Sequence, residues 1–113
     1  MPQAKYPVVV RFKKTDIMRY ISHLDLLRLF QRASRRAGLP LFLTEGFNPH
    51  PKIKIEPALK LGLEADDLRA EIILTQDILR GDVLEKLEKE LPRGIKIMEV
   101  EGDKTTYEKR NNS

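Results

Sequence analysis

The sequence contains no cysteine among its 113 residues. This absence excludes disulfide frameworks, cysteine-ligated zinc or iron–sulfur sites and catalytic thiols. No run of about 18 apolar residues is present, so a membrane-spanning helix is not predicted. Residues 1–6 lack the apolar core of a secretory signal. We therefore expect a soluble, cytoplasmic protein.

Glycine and aromatic residues are also few. The six glycines form neither a Walker motif nor a dinucleotide-binding pattern, so nucleoside triphosphate chemistry has no support. Four phenylalanines and three tyrosines are too few for a broad base-stacking platform. The glycine–aromatic signature of an RNA recognition motif is absent as well, so that module is not predicted.

Charged residues, in contrast, are abundant and unevenly distributed. Residues 1–57 carry 11 basic and 4 acidic side chains, whereas residues 58–113 carry 10 basic and 13 acidic ones. The first half is therefore positive, and the whole chain has a formal net charge of +4. This asymmetry favours a polyanion-binding surface formed by the N-terminal half.

The length of the chain suits one compact domain. We predict a single α+β domain over residues 1–101, followed by a polar tail or truncated linker over residues 102–113. A β-branched run predicts a first strand over residues 6–13. A first helix is predicted over about residues 24–37, with Ser22 and Asp25 as a capping-box-like start and Gly38 as its stop.

The remaining pattern predicts three more strands and one helix. Residues 39–44 are interpreted as a short strand, residues 52–56 alternate as a half-exposed strand should, and residues 68–75 form the next strand, paired with the 52–63 arm. The second helix is predicted to contain Val83, Leu84, Leu87 and Leu91, with Asp77 or Asp82 as its cap. The last strand contains Ile95, Ile97 and either Met98 or Val100.

The resulting order, β-α-β-β-β-α-β, corresponds to a ferredoxin-like β-α-β-β-α-β sandwich with an extra short strand or extended insertion in the middle. Two helices on one face of a largely antiparallel sheet would leave the other face open for a partner.

Arginines on the first helix are the first candidate site. Their spacing places Arg28, Arg32, Arg35 and Arg36 on one side of the helix, where guanidinium groups could bridge successive phosphates. The alternative interpretation is an ordinary solvated helix face. Lys13, Lys14, Arg19, Lys52 and Lys54 lie in the same half of the sequence and favour the polyanion interpretation.

The two histidines allow several interpretations. His23 opens the first helix and His50 lies in a loop stiffened by Pro49 and Pro51. Together they could act as acid and base in metal-free RNA cleavage. They could also bind a metal with Asp25 or Glu45, contact a substrate, or serve only as structural residues.

Two aromatic residues lie near these histidines in the sequence. Tyr20 and Phe47 could stack on a base, or could close the edge of the core.

Three sequence blocks are more informative together than separately: Arg11-Phe12 with residues 20–26, residues 35–40, and residues 45–52. They resemble the radical SAM-linked protein family, a bacterial domain fused to, or encoded beside, a B12-binding-type radical SAM protein. The similarity extends to about Val100. Members of that family usually continue further, so this chain resembles their N-terminal part or a shortened relative.

The resemblance implies a cytoplasmic companion of a radical SAM enzyme with an RNA-related role. The positions that match the family motifs, and are candidates for substrate binding, are His23, Asp25, Gly46, Phe47, Asn48, His50 and Lys52. An iron–sulfur cluster and S-adenosylmethionine would belong to the partner, since this chain has no cysteine. No metal or cofactor is expected in this chain.

We therefore predict a non-catalytic accessory domain that presents RNA or an RNA-linked substrate to its partner. The four arginines would hold phosphates, and the start of the first helix would converge with the His50 loop into one concave patch. Two alternatives are a metal-independent endoribonuclease using His23 and His50, and a module that docks the partner through its open sheet face.

Overall fold

The computed structural model describes residues 4–57 and 65–102. Within them the elements are β1 (Tyr6–Lys14), a short 3-10 helix (Asp16–Tyr20), α1 (His23–Arg36), β2 (Ile53–Glu56), β3 (Ala65–Leu74), α2 (Arg80–Glu88) and β4 (Ile95–Gly102). The strands form one antiparallel sheet in the order β2-β3-β1-β4. The fold is thus α+β, with a four-stranded antiparallel sheet and two helices, as the sequence pattern predicted at this level.

The core lies between one face of the sheet and the two helices. Val8, Val10 and Phe12 alternate into it from β1, as the period of a strand requires. The Phe12 ring meets the Phe30 ring of α1, with centroids 4.7 Å apart. Helix α2 adds Val83 and Leu87 to the same buried cluster. Both helices therefore cover the same face of the sheet, and no helix covers the other face within residues 4–57 and 65–102.

The first helix follows the sequence prediction closely. The Ser22 side chain caps it by accepting a hydrogen bond from the Asp25 backbone N–H at 3.1 Å. This bond satisfies one of the amide groups that have no partner in a first helical turn. At the other end Gly38 adopts a φ of 72°, the left-handed conformation that glycine supplies at low cost.

Residues 39–44 do not form the predicted strand. Only two isolated bridges occur there, Leu41 with Leu74 and Leu43 with Pro51. The chain leaves the edge of the sheet after Leu41, turns back at residues 44–50, and rejoins the edge as β2, where Ile53 pairs with Ile72. The segment is therefore an extended insertion, which was the other form allowed by the sequence.

The second helix is shorter than predicted and is capped differently. It ends at Glu88, so Leu91 lies beyond it. Its N-cap is Leu79, which makes no side-chain capping bond. The prediction of an aspartate cap is wrong, because the backbone starts the helix between Asp77 and Asp82 rather than at either one.

A bulge in β4 decides which residue of that strand is buried. Arg11 pairs with Glu99 but the next residue, Phe12, pairs with Ile97, so Met98 is the extra residue. The bulge interrupts the alternation of the strand. Val100 is consequently buried whereas Met98 is exposed.

Parts of two predicted segments lie outside the described residues. Most of the polar tail, from residue 103, and the part of the 52–63 arm after Pro57 lie outside the described residues. Within the described part of the chain, neither helix is long and apolar enough to span a membrane.

Candidate functional site

The arginine stripe consists of Arg28, Arg32, Arg35 and Arg36 on α1. All four side chains are exposed. Arg28 forms an ion pair with Asp25, at 3.7 Å between Nη1 and Oδ1. The other three have no hydrogen bond or ion pair within residues 4–57 and 65–102. The solvent side of α1 therefore carries positive charge that the protein does not neutralise there.

The loop from Thr44 to His50 is a hairpin whose two ends are joined by hydrogen bonds. The Thr44 backbone N–H donates to the His50 carbonyl at 2.8 Å, and the His50 N–H donates to the Thr44 hydroxyl at 3.2 Å. His50 Nδ1 lies 3.0 Å from the Asn48 carbonyl oxygen, a contact in which a protonated Nδ1 donates. When Nδ1 carries the proton, Nε2 of the exposed ring is left as an acceptor.

Phe47 projects from this hairpin into solvent. Phe47 is fully exposed, so its ring contributes nothing to the core. The preceding Gly46 has a φ of 120°, a conformation that only glycine adopts readily. An apolar ring held this way is available for stacking on another flat group.

Two lysines lie at the base of the hairpin. Lys5 Nζ lies 4.9 Å from the centre of the Phe42 ring, and Lys52 Nζ lies 6.0 Å from it. Lys52 was predicted as a site residue, but Lys5 and Phe42 were not. No signal in the sequence connects them, because they meet only through the insertion between α1 and β2.

His23 lies at one end of the sheet. At this end the Thr15 N–H donates to the Gly94 carbonyl at 2.8 Å, just after β1 finishes. The contact of Phe12 with Phe30 places the middle of α1 near the same end. Because α1 has 14 residues and rises about 1.5 Å per residue, its first residue, His23, extends past this end.

His50 lies towards the opposite end. Leu41 bridges Leu74, which in turn pairs with Tyr6 at the start of β1. The Phe42 N–H donates to the Ile73 carbonyl at 2.9 Å, so the hairpin extends from this end. The strand pairings therefore attach the His50 loop and the start of α1 towards opposite ends of β1, which does not favour the expectation that they form one patch.

The predicted site residues thus divide into two groups. His23 and Asp25 are exposed at the start of α1, whereas Gly46, Phe47, Asn48, His50 and Lys52 belong to the hairpin. The end of α1, with Arg35 and Arg36, leads through Gly38 and Pro40 towards the hairpin. Among residues 4–57 and 65–102, no three His, Asp or Glu side chains group closely enough for a metal site, so the set of His23, His50 and Asp25 or Glu45 does not assemble.

The open face of the sheet carries charges that are mutually paired. Arg11 contacts Asp67 at 3.1 Å, Glu99 at 3.3 Å and Glu101 at 3.7 Å. The hydrogen bond and charge of Asp67 are the main reasons why the pKa of Arg11 is raised. This face is therefore polar and largely neutralised by its own residues.

A second pair on this face is Lys54 and Glu56, with Nζ and Oε1 2.8 Å apart. The hydrogen bond and charge of Lys54 lower the pKa of Glu56, and those of Glu56 raise the pKa of Lys54. Both side chains are exposed, so the pair reports on local geometry more than on stability.

The chain was compared with known families, curated proteins and solved structures. Residues 8–111 match the family described as "Uncharacterized protein conserved in bacteria (DUF2344)". No curated protein and no solved structure matches the chain. Because the match covers nearly the whole sequence, the chain belongs to this family of uncharacterised bacterial proteins.

Proposed function

We propose that this protein is an accessory domain that binds single-stranded RNA, or an RNA-linked substrate, for a radical SAM partner enzyme. The proposed arrangement is ferredoxin-like, which the element order and the strand order β2-β3-β1-β4 support. In this proposal the chain itself performs no reaction. It holds the nucleic acid, and the partner supplies the iron–sulfur cluster and S-adenosylmethionine.

The observation that carries the proposal is the arginine stripe. Three exposed guanidinium groups, those of Arg32, Arg35 and Arg36, have no acidic partner within the described part of the chain. Guanidinium forks match phosphate oxygens in shape and stay protonated at any physiological pH. Spacing of three to four residues along one helix face allows them to follow successive phosphates of a flexible strand.

The hairpin supports a single strand rather than a duplex as the ligand. A fully exposed phenylalanine ring can stack on an unpaired base, whereas the bases of a duplex are already stacked on each other. Lys52 and Lys5 at the base of the hairpin supply positive charge beside it. The end of α1 leads towards the same end of the sheet, so a strand could pass from the arginine stripe to Phe47.

Neither alternative function gains support from an observation on the site. An endoribonuclease using His23 and His50 needs both rings at one scissile bond, and the strand pairings, which attach the two segments towards opposite ends of β1, do not favour this. A docking module using the open sheet face would normally present an apolar patch. That face instead carries paired charges, led by Arg11 and its acidic neighbours.

RNA binding can be tested by filter binding of a single-stranded 20-mer RNA over a series of salt concentrations. With about four phosphates neutralised, the slope of log affinity against log salt should be roughly −3. A duplex of the same sequence should bind more weakly. Binding that does not depend on salt, or no binding at all, would contradict the proposal.

The contribution of the hairpin can be tested with Phe47→Ala. Loss of one base-stacking contact is worth about 1–3 kcal/mol, so affinity for single-stranded RNA should fall about tenfold. The thermal midpoint should not change, because the ring is not buried. A matched control is Tyr20→Ala, an exposed aromatic residue before α1, which should affect RNA affinity much less.

The proposal of a radical SAM partner rests on the sequence resemblance and needs a separate experiment. The tagged full chain, produced together with a B12-binding-type radical SAM protein as the candidate partner, should co-purify with it. The co-purified complex should contain iron and sulfide, whereas the chain purified alone should contain neither. Failure to co-purify would leave the RNA-binding proposal intact and remove the partner from it.

A further inference from the structure

A groove on the helical side of the protein lies beside the arginine stripe and adds apolar surface that the proposed phosphate contacts do not use. It has a volume of about 310 Å³ and runs between α1 and the turn after α2. Its apolar floor is formed by Met18, Leu29, Ala33, Leu91 and Pro92. We call it the helix groove. Its volume is at the lower end of the range that small-ligand sites occupy, which is the size of one nucleotide rather than of a long peptide.

Three charged side chains border the helix groove. Arg32 and Arg36 are one helical turn apart on its α1 side, and Glu90 lies on the opposite side. Neither arginine forms an ion pair with Glu90 within the described residues. The groove therefore combines two available cations with one available carboxylate above an apolar floor.

One wall of the groove is fixed by a glycine. The Thr15 N–H donates to the Gly94 carbonyl at 2.8 Å, and Gly94 has a φ of 96°. A Cβ at Gly94 would lie 2.9 Å from Met18 Cγ and 2.8 Å from the Thr15 oxygen. Glycine therefore lets Met18, one of the residues that line the groove, pack against this turn.

We propose that the helix groove binds one nucleotide of single-stranded RNA, with the base on the apolar floor and the phosphate at Arg32 and Arg36. This inference rests on the proposed function and specifies where an unpaired base is held. The Glu90 carboxylate accepts hydrogen bonds from N–H groups on the edge of the base. Guanine presents two adjacent N–H groups to a carboxylate, so guanine is the base that the groove favours.

Glu90 also argues for a nucleotide over an acidic peptide. Both ligands would satisfy the two arginines. The carboxylates of an acidic peptide would be repelled by Glu90, and each like charge placed nearby weakens binding. A nucleotide uses the same carboxylate as a hydrogen-bond acceptor, and its flat base buries the apolar floor.

The test is an NMR titration of the ¹⁵N-labelled full chain with guanosine 5′-monophosphate, uridine 5′-monophosphate and ribose 5-phosphate. The guanine nucleotide should shift the amide signals of Arg32, Ala33, Glu90 and Leu91. It should bind about tenfold more tightly than ribose 5-phosphate, because only the nucleotide buries a base. Equal affinities for the two, or shifts confined to other residues, would overturn the inference.

A matched pair of variants tests the role of Glu90. Glu90→Gln should remove the preference for guanine over uracil and leave the affinity for ribose 5-phosphate unchanged. Glu88→Gln, an exposed residue that ends α2, should keep the preference. A preference that survives in Glu90→Gln would contradict the assignment.

Two outcomes separate this inference from the proposed function. Salt-dependent RNA binding without any base-dependent binding in the groove overturns only the inference. Nucleotide binding in the groove without binding of the 20-mer overturns the proposed function, and with it the assignment of the bound nucleotide to RNA. Tighter binding of hexaglutamate than of the guanine nucleotide at the same residues would replace the nucleotide with an acidic peptide and overturn the inference.

Discussion

Both the helical side and the open sheet side of this protein carry basic side chains. The two sides differ in how far those side chains are paired with carboxylates. On the sheet side Arg11 is shared by Asp67, Glu99 and Glu101, and Lys54 is paired with Glu56. On the helical side Arg32, Arg35 and Arg36 have no such partners among residues 4–57 and 65–102. The number of charged residues in the sequence does not show whether a basic side chain is paired with a carboxylate. The availability of a charge, rather than its presence, identifies the surface that can hold a polyanion.

The strongest test of this comparison removes three positive charges from each of the two surfaces. The triple variant Arg32→Gln, Arg35→Gln and Arg36→Gln should bind single-stranded RNA about a hundredfold more weakly, because three phosphate contacts are lost. The salt slope should become shallower by about 2. Glutamine has a helix propensity similar to that of arginine, so α1 should persist.

The control triple variant is Lys54→Gln, Arg69→Gln and Lys96→Gln, which removes the same charge from the open sheet face. Its RNA affinity should change less than about threefold, since only the general field of the protein is altered. An equal loss in both triple variants would show that net charge alone drives binding, and the comparison between the two sides would then fail.

The second prediction concerns the turn that fixes the wall of the helix groove. Gly94→Ala should destabilise the protein by about 2 kcal/mol in urea denaturation, since the residue has a positive φ and the new Cβ meets Thr15 and Met18. Gly81→Ala is the matched control. It lies in α2 with no atom within 4 Å of its Cβ position, so it should stabilise the protein slightly. Equal effects of the two variants would contradict the close packing of Met18.

A smaller effect is expected when the charge pairing of the sheet side is broken. Arg11→Gln leaves Asp67, Glu99 and Glu101 facing each other without their common cation. The thermal midpoint should decrease by a few degrees at low salt and by less at high salt, because exposed charges are screened. RNA affinity should stay close to that of the wild type, and a large loss would place RNA on the sheet side.

The smallest effect is a shift in one titration. The pKa of Glu56 is held below its ordinary value of 4.5 by Lys54. Lys54→Gln should therefore raise it towards that value, as NMR titration of the carboxylate can measure. A pKa that is lower in the folded state means that the pair stabilises the protein above the ordinary glutamate value, and that this effect disappears as the pH falls through the lowered pKa.

The stabilising effect of the Lys54–Glu56 pair is also lost at alkaline pH. The pKa of Lys54 is raised, so its contribution is present below the ordinary lysine value and is lost as the pH rises through the raised one. Between these two limits the pair should be insensitive to pH. An unchanged Glu56 pKa in Lys54→Gln would show that the 2.8 Å contact does not persist in solution.

Elements with strong local signals could be predicted from the sequence. Ser22 determines the start of α1 through a bond to a residue three positions later, and Gly38 ends the helix by its own conformation. The β-branched run of β1 is likewise a local feature. Leu79 as the cap of α2 and the bulge at Met98 were not predictable in this way, since both depend on how the chain is held from outside the segment.

In the candidate site, too, some features could be predicted from the sequence and others could not. The exposed arginines of α1 follow from helical spacing, a property of the sequence alone. The helix groove had no signal in the sequence, because Met18 and Leu91 are far apart in the chain and line one groove only after folding. The separation of His23 from His50 was also hidden, since 26 intervening positions in the sequence say nothing about direction in space.

The sequence alone therefore determined the α+β order of elements, the side of α1 that carries the arginines and the absence of cysteine chemistry. These features depend on residue type and on spacings of a few residues. The tertiary structure decided which charges are neutralised, which end of the sheet each candidate residue occupies and where a groove opens. Those features depend on strand pairing and packing between residues far apart in the chain, and the energies of such contacts exist only after folding.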